Sequence, residues 1–348
     1  MSKTPDSTAA QAAPKDARAW AKALAGYNRP SYARGILEIA VSFLPFAALW
    51  AAMALLLMHG HWLGLALVVP AAGFLVRLFM IQHDCGHGAF FGNERANDWT
   101  GRVLGVLTLT PYSVWKRIHA LHHAGAGCLD HRGFGEIATL TVEEYNALSP
   151  WKRFKYRVYR HPVVLFGIGP AYLFILEHRL PVGMMRRGWQ PWLSTMGTNL
   201  ASAAVVGTAI WLVGIKVFLA IQLPVTILAA TAGVWLFFVQ HQFEETYWER
   251  LPEWKRQEAA LHGSSHYDLP APLRWMTGNI GVHHVHHLCA RIPFYRLARV
   301  LRDFPELRDI NRMTLLDSLK TIPLALWDET RHCMISFREY RLSRAVAA

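Results

Sequence analysis

Four stretches of the chain are long and almost free of charge: Ile36–Met58, Trp62–Gln82, Trp192–Val213 and Val217–Gln240. Each approaches the ~20 residues that a helix needs to cross about 30 Å of hydrocarbon. Buried helices of soluble proteins rarely run so long without a polar face. The fold class expected is therefore all-α and integral to a membrane, with four transmembrane helices. They pair into two hairpins, joined at His59-Gly60-His61 and at Gly214-Ile215-Lys216. A fifth apolar stretch, Pro162–Leu176, is short and broken by Gly167, Gly169 and Pro170, so it reads as interfacial or re-entrant.

Charge sets the orientation. The chain carries 36 Lys and Arg against 24 Asp and Glu, a net +12, and the basic residues cluster in 1–35, 83–191 and 241–348. The positive-inside rule places both termini and both polar segments in the cytosol, leaving only the two turns outside. Three regions follow. Residues 1–35 form a polar tail, disordered at first, with an interfacial helix over about Ala17–Tyr27. Residues 36–300 form the membrane domain with a cytosolic helical cap, and residues 301–348 form a cytosolic helical segment. Residues 1–19 lack the apolar core of a cleavable signal peptide. The basic surface suits anionic lipid or an acidic protein partner; no nucleic-acid-binding module is recognisable, so nucleic acid is not an expected partner. Cys85, Cys128, Cys289 and Cys333 all fall on the cytosolic side without CxxC spacing, which argues against disulfides and iron–sulfur or zinc sites.

Eighteen histidines are present, and many are grouped. His83 and His87 lie in HDCGH directly after the second span. His119, His122 and His123 lie in HALHH, and His283, His286 and His287 lie in HHVHH with His284 among them. Residues four apart on a helix are separated by about 40° around the axis and residues three apart by about 60°, so each triplet fits within about 100°. Two triplets and one pair bring eight ring nitrogens together on the cytosolic side. Imidazole suits the transition metals. Eight nitrogens exceed the four that one tetrahedral zinc takes, which points to two ions. His241, at the cytosolic end of the fourth span, is the candidate for a ninth ligand, with Glu244 or Glu245 as a carboxylate supporting it. For the last cluster, geometry alone leaves a choice, because 283/284/287 spans the same arc as 283/286/287.

Boxes of the form HxxxH, HxxHH and HxxHH, set between and after two membrane hairpins, resemble those of the membrane fatty-acid desaturases over roughly residues 35–300. HDCGHGAFF at 83–91 and GNIGVHHVHHL at 278–288 look most like bacterial acyl-lipid desaturases of the Δ12 (omega-6) type. The resemblance implies two non-haem iron ions held by His83, His87, His119, His122, His123, His283, His286 and His287, with His241 matching a further ligand. It leaves His284 as a supporting or surface neighbour whose substitution is the mildest of the four. It also implies O2 as co-substrate, the acyl chain of a membrane lipid as substrate, and a bacterial inner-membrane location. The chemistry fits, since an unactivated methylene has no acidic proton for a protein base to remove, and the metal performs the hard step while the protein positions the chain.

Two electrons must come from outside. The chain has no haem-attachment CxxCH, no GxGxxG and no HPGG, so a separate ferredoxin, flavodoxin or cytochrome b5-like donor is implied. Trp115, Tyr247, Trp248, Trp254 and Trp275 read as an acyl tunnel or as an interfacial belt. Three alternatives to desaturation stand: a hydroxylase or ketolase of lipid, alkane or carotenoid on the same boxes, and, from another class, a histidine-rich metal transporter. A transporter needs ionisable groups deep in its spans, whereas the apolar stretches hold only Glu38 and Arg77, both near their cytosolic ends.

Overall fold

The computed structural model describes residues 16–346; most of the expected disordered tail, residues 1–15, lies outside the described residues. Among the described residues, four helices are long and apolar enough to span a membrane: Tyr32–Met58, Trp62–Gly86, Gln190–Val213 and Ile215–His241. Each outlasts its apolar stretch by about a turn or less. Span one begins where the Ser31 hydroxyl accepts from the Arg34 amide at 3.4 Å. Span two opens with a tight 3-10 segment, Trp62–Leu67, before turning α-helical. Spans three and four are joined by Gly214 alone. Its φ of +79° permits reversal without an intervening loop, a conformation costly for any residue with a Cβ.

Span two is the centre of the bundle. Of its apolar window 56% is buried, against 11% for span three, which presents Leu200 and Trp211 outward as a lipid-facing helix does. Span one is tied to span four by Trp50 Nε1, which donates to Gln222 Oε1 at 3.1 Å. It is tied to span two by an ion pair between Glu38 and Arg77, both side chains 2% exposed. Arg34 also reaches Glu38, at 2.7 Å. Glu38 and Arg77 are the two charges that the sequence places near the cytosolic ends, and they neutralise each other there.

The cap stands on the ends of spans two and four. Helices Glu94–Leu107 and Tyr112–Gly125 follow span two, and the Tyr112 hydroxyl donates to the Cys85 carbonyl at 2.9 Å. After span four come Arg256–His262, Ala271–Met276, His283–Leu288 and Phe294–Asp303. The N-terminal helix Ala17–Leu24 forms, capped by Asp16, but its apolar face is packed on the cap. Ala17, Trp20 and Leu24 are buried, and Trp20 meets Phe304 edge-on at 5.4 Å. The broken segment divides into Pro150–Tyr159 and Val164–Arg179, bent by 58°. Its second half lies against span four, where Thr231 Oγ1 donates to the Phe166 carbonyl at 2.8 Å.

The segment after residue 300 departs from the expected helical form. It supplies three short strands, Arg312–Thr314, Leu324–Asp328 and Cys333–Ser336. Leu324–Asp328 pairs antiparallel with Cys333–Ser336 and parallel with Leu140–Thr141; Arg312–Thr314 pairs parallel with His266–Asp268. The physical reason is local. Leu324–Trp327 is a short apolar run buried at every position, between a turn and the Glu329–His332 bend, and is too short to fill a helix. The sheets are small additions to a helical protein.

Candidate metal centre

Four helical elements bring nine histidines to one place under the cap. Span two carries His83 in its last turn, with His87 as its C-terminal cap. Helix Tyr112–Gly125 carries His119, His122 and His123; span four ends in His241; helix His283–Leu288 carries the last triplet. Their nitrogens form two groups. His83, His87, His119, His123 and His286 make the first, and His122, His241, His283 and His287 the second, with the atoms of each group within 4.8 Å of one another. Each triplet is therefore divided. One helix gives its i, i+4 pair, His119 and His123, to the first group and His122 to the second. The other gives His283 and His287 to the second and His286 to the first. The His123 and His287 rings stack at 4.0 Å between the two.

The nitrogens that converge are Nε2. His87–His119, His119–His123 and His123–His286 stand at 3.0, 3.2 and 3.1 Å in the first group. His122–His241, His241–His283 and His283–His287 stand at 3.2, 3.0 and 3.1 Å in the second. Two nitrogens bound about 2.0–2.1 Å from a shared ion, at tetrahedral to right angles, are about 2.9–3.4 Å apart. The donor set and its spacing fit metal ions. At the other nitrogen, His83 Nδ1 lies 3.2 Å from Asp84 Oδ1 and His241 Nδ1 lies 3.1 Å from the Gly263 carbonyl. Such acceptors hold the proton on Nδ1 and leave Nε2 bare for a metal.

Burial decides the protonation state. It is the largest influence on His87, His119, His122, His123, His283, His286 and His287, and with the neighbouring imidazoles it holds all seven well below the ordinary 6.5. At neutral pH they are uncharged, the form that ligates metal. Trp115 forms one wall, its ring stacked on His119 at 4.6 Å and 16°. A small cavity beside His122 and His241 is lined by Phe237, Trp248 and Glu136. Burial pushes the Glu136 carboxyl up to about 7, against the opposing effect of the Gly133 amide.

A family model described as fatty acid desaturase matches residues 60–314. The chain belongs to the fatty acid desaturase family. A fatty acid desaturase of Bacillus subtilis (strain 168) is 41% identical over 317 residues, covering 91% of this chain and 90% of that protein. The sn-1 oleoyl-lipid 12-desaturase of Synechocystis is 25% identical over 253 residues, 64% of this chain and 63% of that one. The sn-1 acyl-lipid omega-3 desaturase (ferredoxin) of Synechocystis is 27% identical over 236 residues, 64% of this chain and 62% of that one. This desaturase is an oxidoreductase built into a membrane, with histidine clusters suited to metal.

Some residues around the desaturase site lie elsewhere than expected. Glu244 and Glu245 are exposed and do not support His241, because the chain leaves the helix at Gln242 and turns them outward. The buried carboxyl group beside the histidines is that of Asp84, 1% exposed, whose Oδ2 also accepts from the Phe294 amide at 2.6 Å. Its only signal in the sequence was its place beside His83. His284 stands outside both nitrogen groups, yet it is no surface residue: it is fully buried, with Nε2 2.8 Å from the Leu307 carbonyl. Of the aromatics, Trp115 and Trp248 adjoin the histidines, Trp254 donates to the Ala126 carbonyl at 3.1 Å, and Trp275 lies over Arg77.

Proposed function

We propose that this desaturase introduces a cis double bond into the acyl chain of a membrane lipid, using O2 and two iron ions held by the nine histidines. The observation that carries this reading is the pair of all-imidazole groups at the end of the spans, one of five nitrogens, partly buried, and one of four, fully buried. When bound, the irons would supply the reduction of O2 and the oxidising power to remove hydrogen from two adjacent methylenes.

The chain's own part is to hold and shield. Asp84 and the Gly263 carbonyl orient His83 and His241, one in each group. Trp115 fixes the His119 ring, and burial of the clusters keeps bulk water from the reacting carbon. The location proposed is a bacterial inner membrane with the cap in the cytosol, where the net charge of +12 would favour an acidic electron donor such as a ferredoxin or flavodoxin, or a cytochrome b5-like protein. A relative's name specifying ferredoxin supports a donor of that kind.

The test is expression in a host with a defined saturated and monounsaturated lipid pool, followed by mass spectrometry of fatty-acid methyl esters. New double bonds are expected, and their positions give the regiochemistry. Hydroxylated products would replace desaturation with hydroxylation. Unchanged lipids in cells holding the metal-loaded protein, with donor supplied, would refute the reading. His286→Ala should abolish product while the protein remains in the membrane.

A further inference from the structure

The cap does not sit wholly above the spans. On the short helix Ala271–Met276, Trp275 and Met276 pack against the body of span two. The Trp275 carbonyl accepts from Arg77, the guanidinium lies 3.9 Å from the centre of the Trp275 ring, and Phe74 meets that ring edge-on at 6.0 Å. Met276 packs directly onto Gly73. Gly73 and Arg77 precede His83 by ten and six residues. At 1.5 Å per helical residue, they lie about 15 and 9 Å below His83, toward the membrane centre. Measured from Trp62 through its tighter first segment, Arg77 stands about 27 Å along, inside a hydrocarbon core about 30 Å thick.

A second element reaches similar depth. The Tyr267 hydroxyl is 3.3 Å from Trp235 Nε1 in span four and 3.1 Å from Ser318 Oγ, and Trp235 lies six residues before His241. Around Ser318 the chain turns Leu315, Leu316 and Leu319 outward; Leu316 is 75% exposed. Across an open groove lined by Leu269, Pro270, Leu315 and Leu316, with Asp268 (paired with Arg312 at 2.7 Å) and Thr314 at one end, the exposed large apolar residues are Leu273 and Trp275. Arg274 and Lys320, both exposed, flank them: Arg274 is long enough to reach headgroups from that depth, and Lys320 pairs with Asp317 at 2.7 Å, neutralising the one carboxylate of that segment.

We propose that Pro270–Trp275 and Leu315–Leu319 form a lip immersed in the leaflet on the cap's side, and that the groove between them takes up an acyl chain of that leaflet. This rests on the four spans and is independent of the reaction proposed above. It moves part of the segment after residue 300 from the cytosol into the membrane.

The test is site-directed spin labelling of the full chain in phosphatidylglycerol–phosphatidylcholine vesicles, with Cys289→Ser and Cys333→Ser as background. Leu316→Cys and Leu273→Cys are the reporters, Leu200→Cys on span three the lipid control, and Glu253→Cys on the cap the water control. The proposal expects both reporters to collide with O2 over a nickel chelate in the ratio seen at Leu200. A ratio like that at Glu253 would place the lip in water and overturn it. Low accessibility to both quenchers, with spin–spin broadening between labels, would mean that a second copy covers the face, and would overturn it as well. Labelling at two positions keeps the result readable if one variant fails to fold.

Discussion

Replacing Asp84 by Asn separates its hydrogen bond to His83 from its shape. The carboxyl group sits between two partners, His83 Nδ1 at 3.2 Å and the Phe294 amide at 2.6 Å, and is 1% exposed. Asn keeps an oxygen for the Phe294 amide but replaces the carboxyl oxygen that accepts from His83 Nδ1, the hydrogen bond that orients the imidazole toward a metal. Loss of such a supporting partner costs about 10–100-fold in metal affinity, about 1.4–2.8 kcal/mol. Asp84→Ala removes both contacts and leaves the buried Phe294 amide unsatisfied, adding about 1–3 kcal/mol of lost folding stability. The assay is competition between the purified enzyme and a chelator series for iron, run beside a thermal melt of the apo-protein. Asn is expected to weaken iron retention within that range and barely move the apo melt, and Ala to lower both. Unchanged iron affinity in the Asn variant would refute the assignment of Asp84 as the group that orients His83.

Three further outcomes are expected. His284→Ala should keep the metal stoichiometry and lose about 1–3 kcal/mol of stability through the unpaired Leu307 carbonyl, measured by melting and metal analysis; loss of metal would place His284 among the ligands. The apo-protein should be most stable above pH 6.5. Below that pH the unfolded chain takes up protons that the seven buried imidazoles, with pKa held well below 6.5, refuse, so stability falls with pH until the folded values are reached. An apo melt unchanged between pH 8 and 5 would contradict this. Glu38→Leu should cost about 3–5 kcal/mol by leaving Arg77 charged and unpaired, and the double variant Glu38→Leu/Arg77→Met should recover much of it; a single variant as stable as the parent would show that the pair is not buried in the membrane.

Much of this fold was legible because lipid imposes a simple rule. A helix in hydrocarbon must be apolar along its whole length, so the spans appear in composition alone. The histidines were legible for a similar reason: spacing of three and four on a helix is a statement about one face. What spacing did not reveal is how a face is divided. His122 and His286 each serve the group opposite to their helix neighbours, a consequence of where two helices meet. His284 was hidden differently, since its burial against the Pro305–Arg308 turn is a long-range fact; its carbonyl partner Leu307 is 23 residues away. The same holds for Asp84, whose second partner is 210 residues distant. Glu244 and Glu245 had helical spacing to His241, but the helix ends before it can present them.

As proposed, the histidines would hold two irons in separate sets of five and four. Iron per chain, measured in protein purified with iron supplied, tests it directly. Two ions per chain are expected in the parent, one in His83→Ala/His87→Ala, and one in His241→Ala/His283→Ala, with each variant still folded by circular dichroism. One ion per chain in the parent, or loss of both ions from either double variant, would contradict the account.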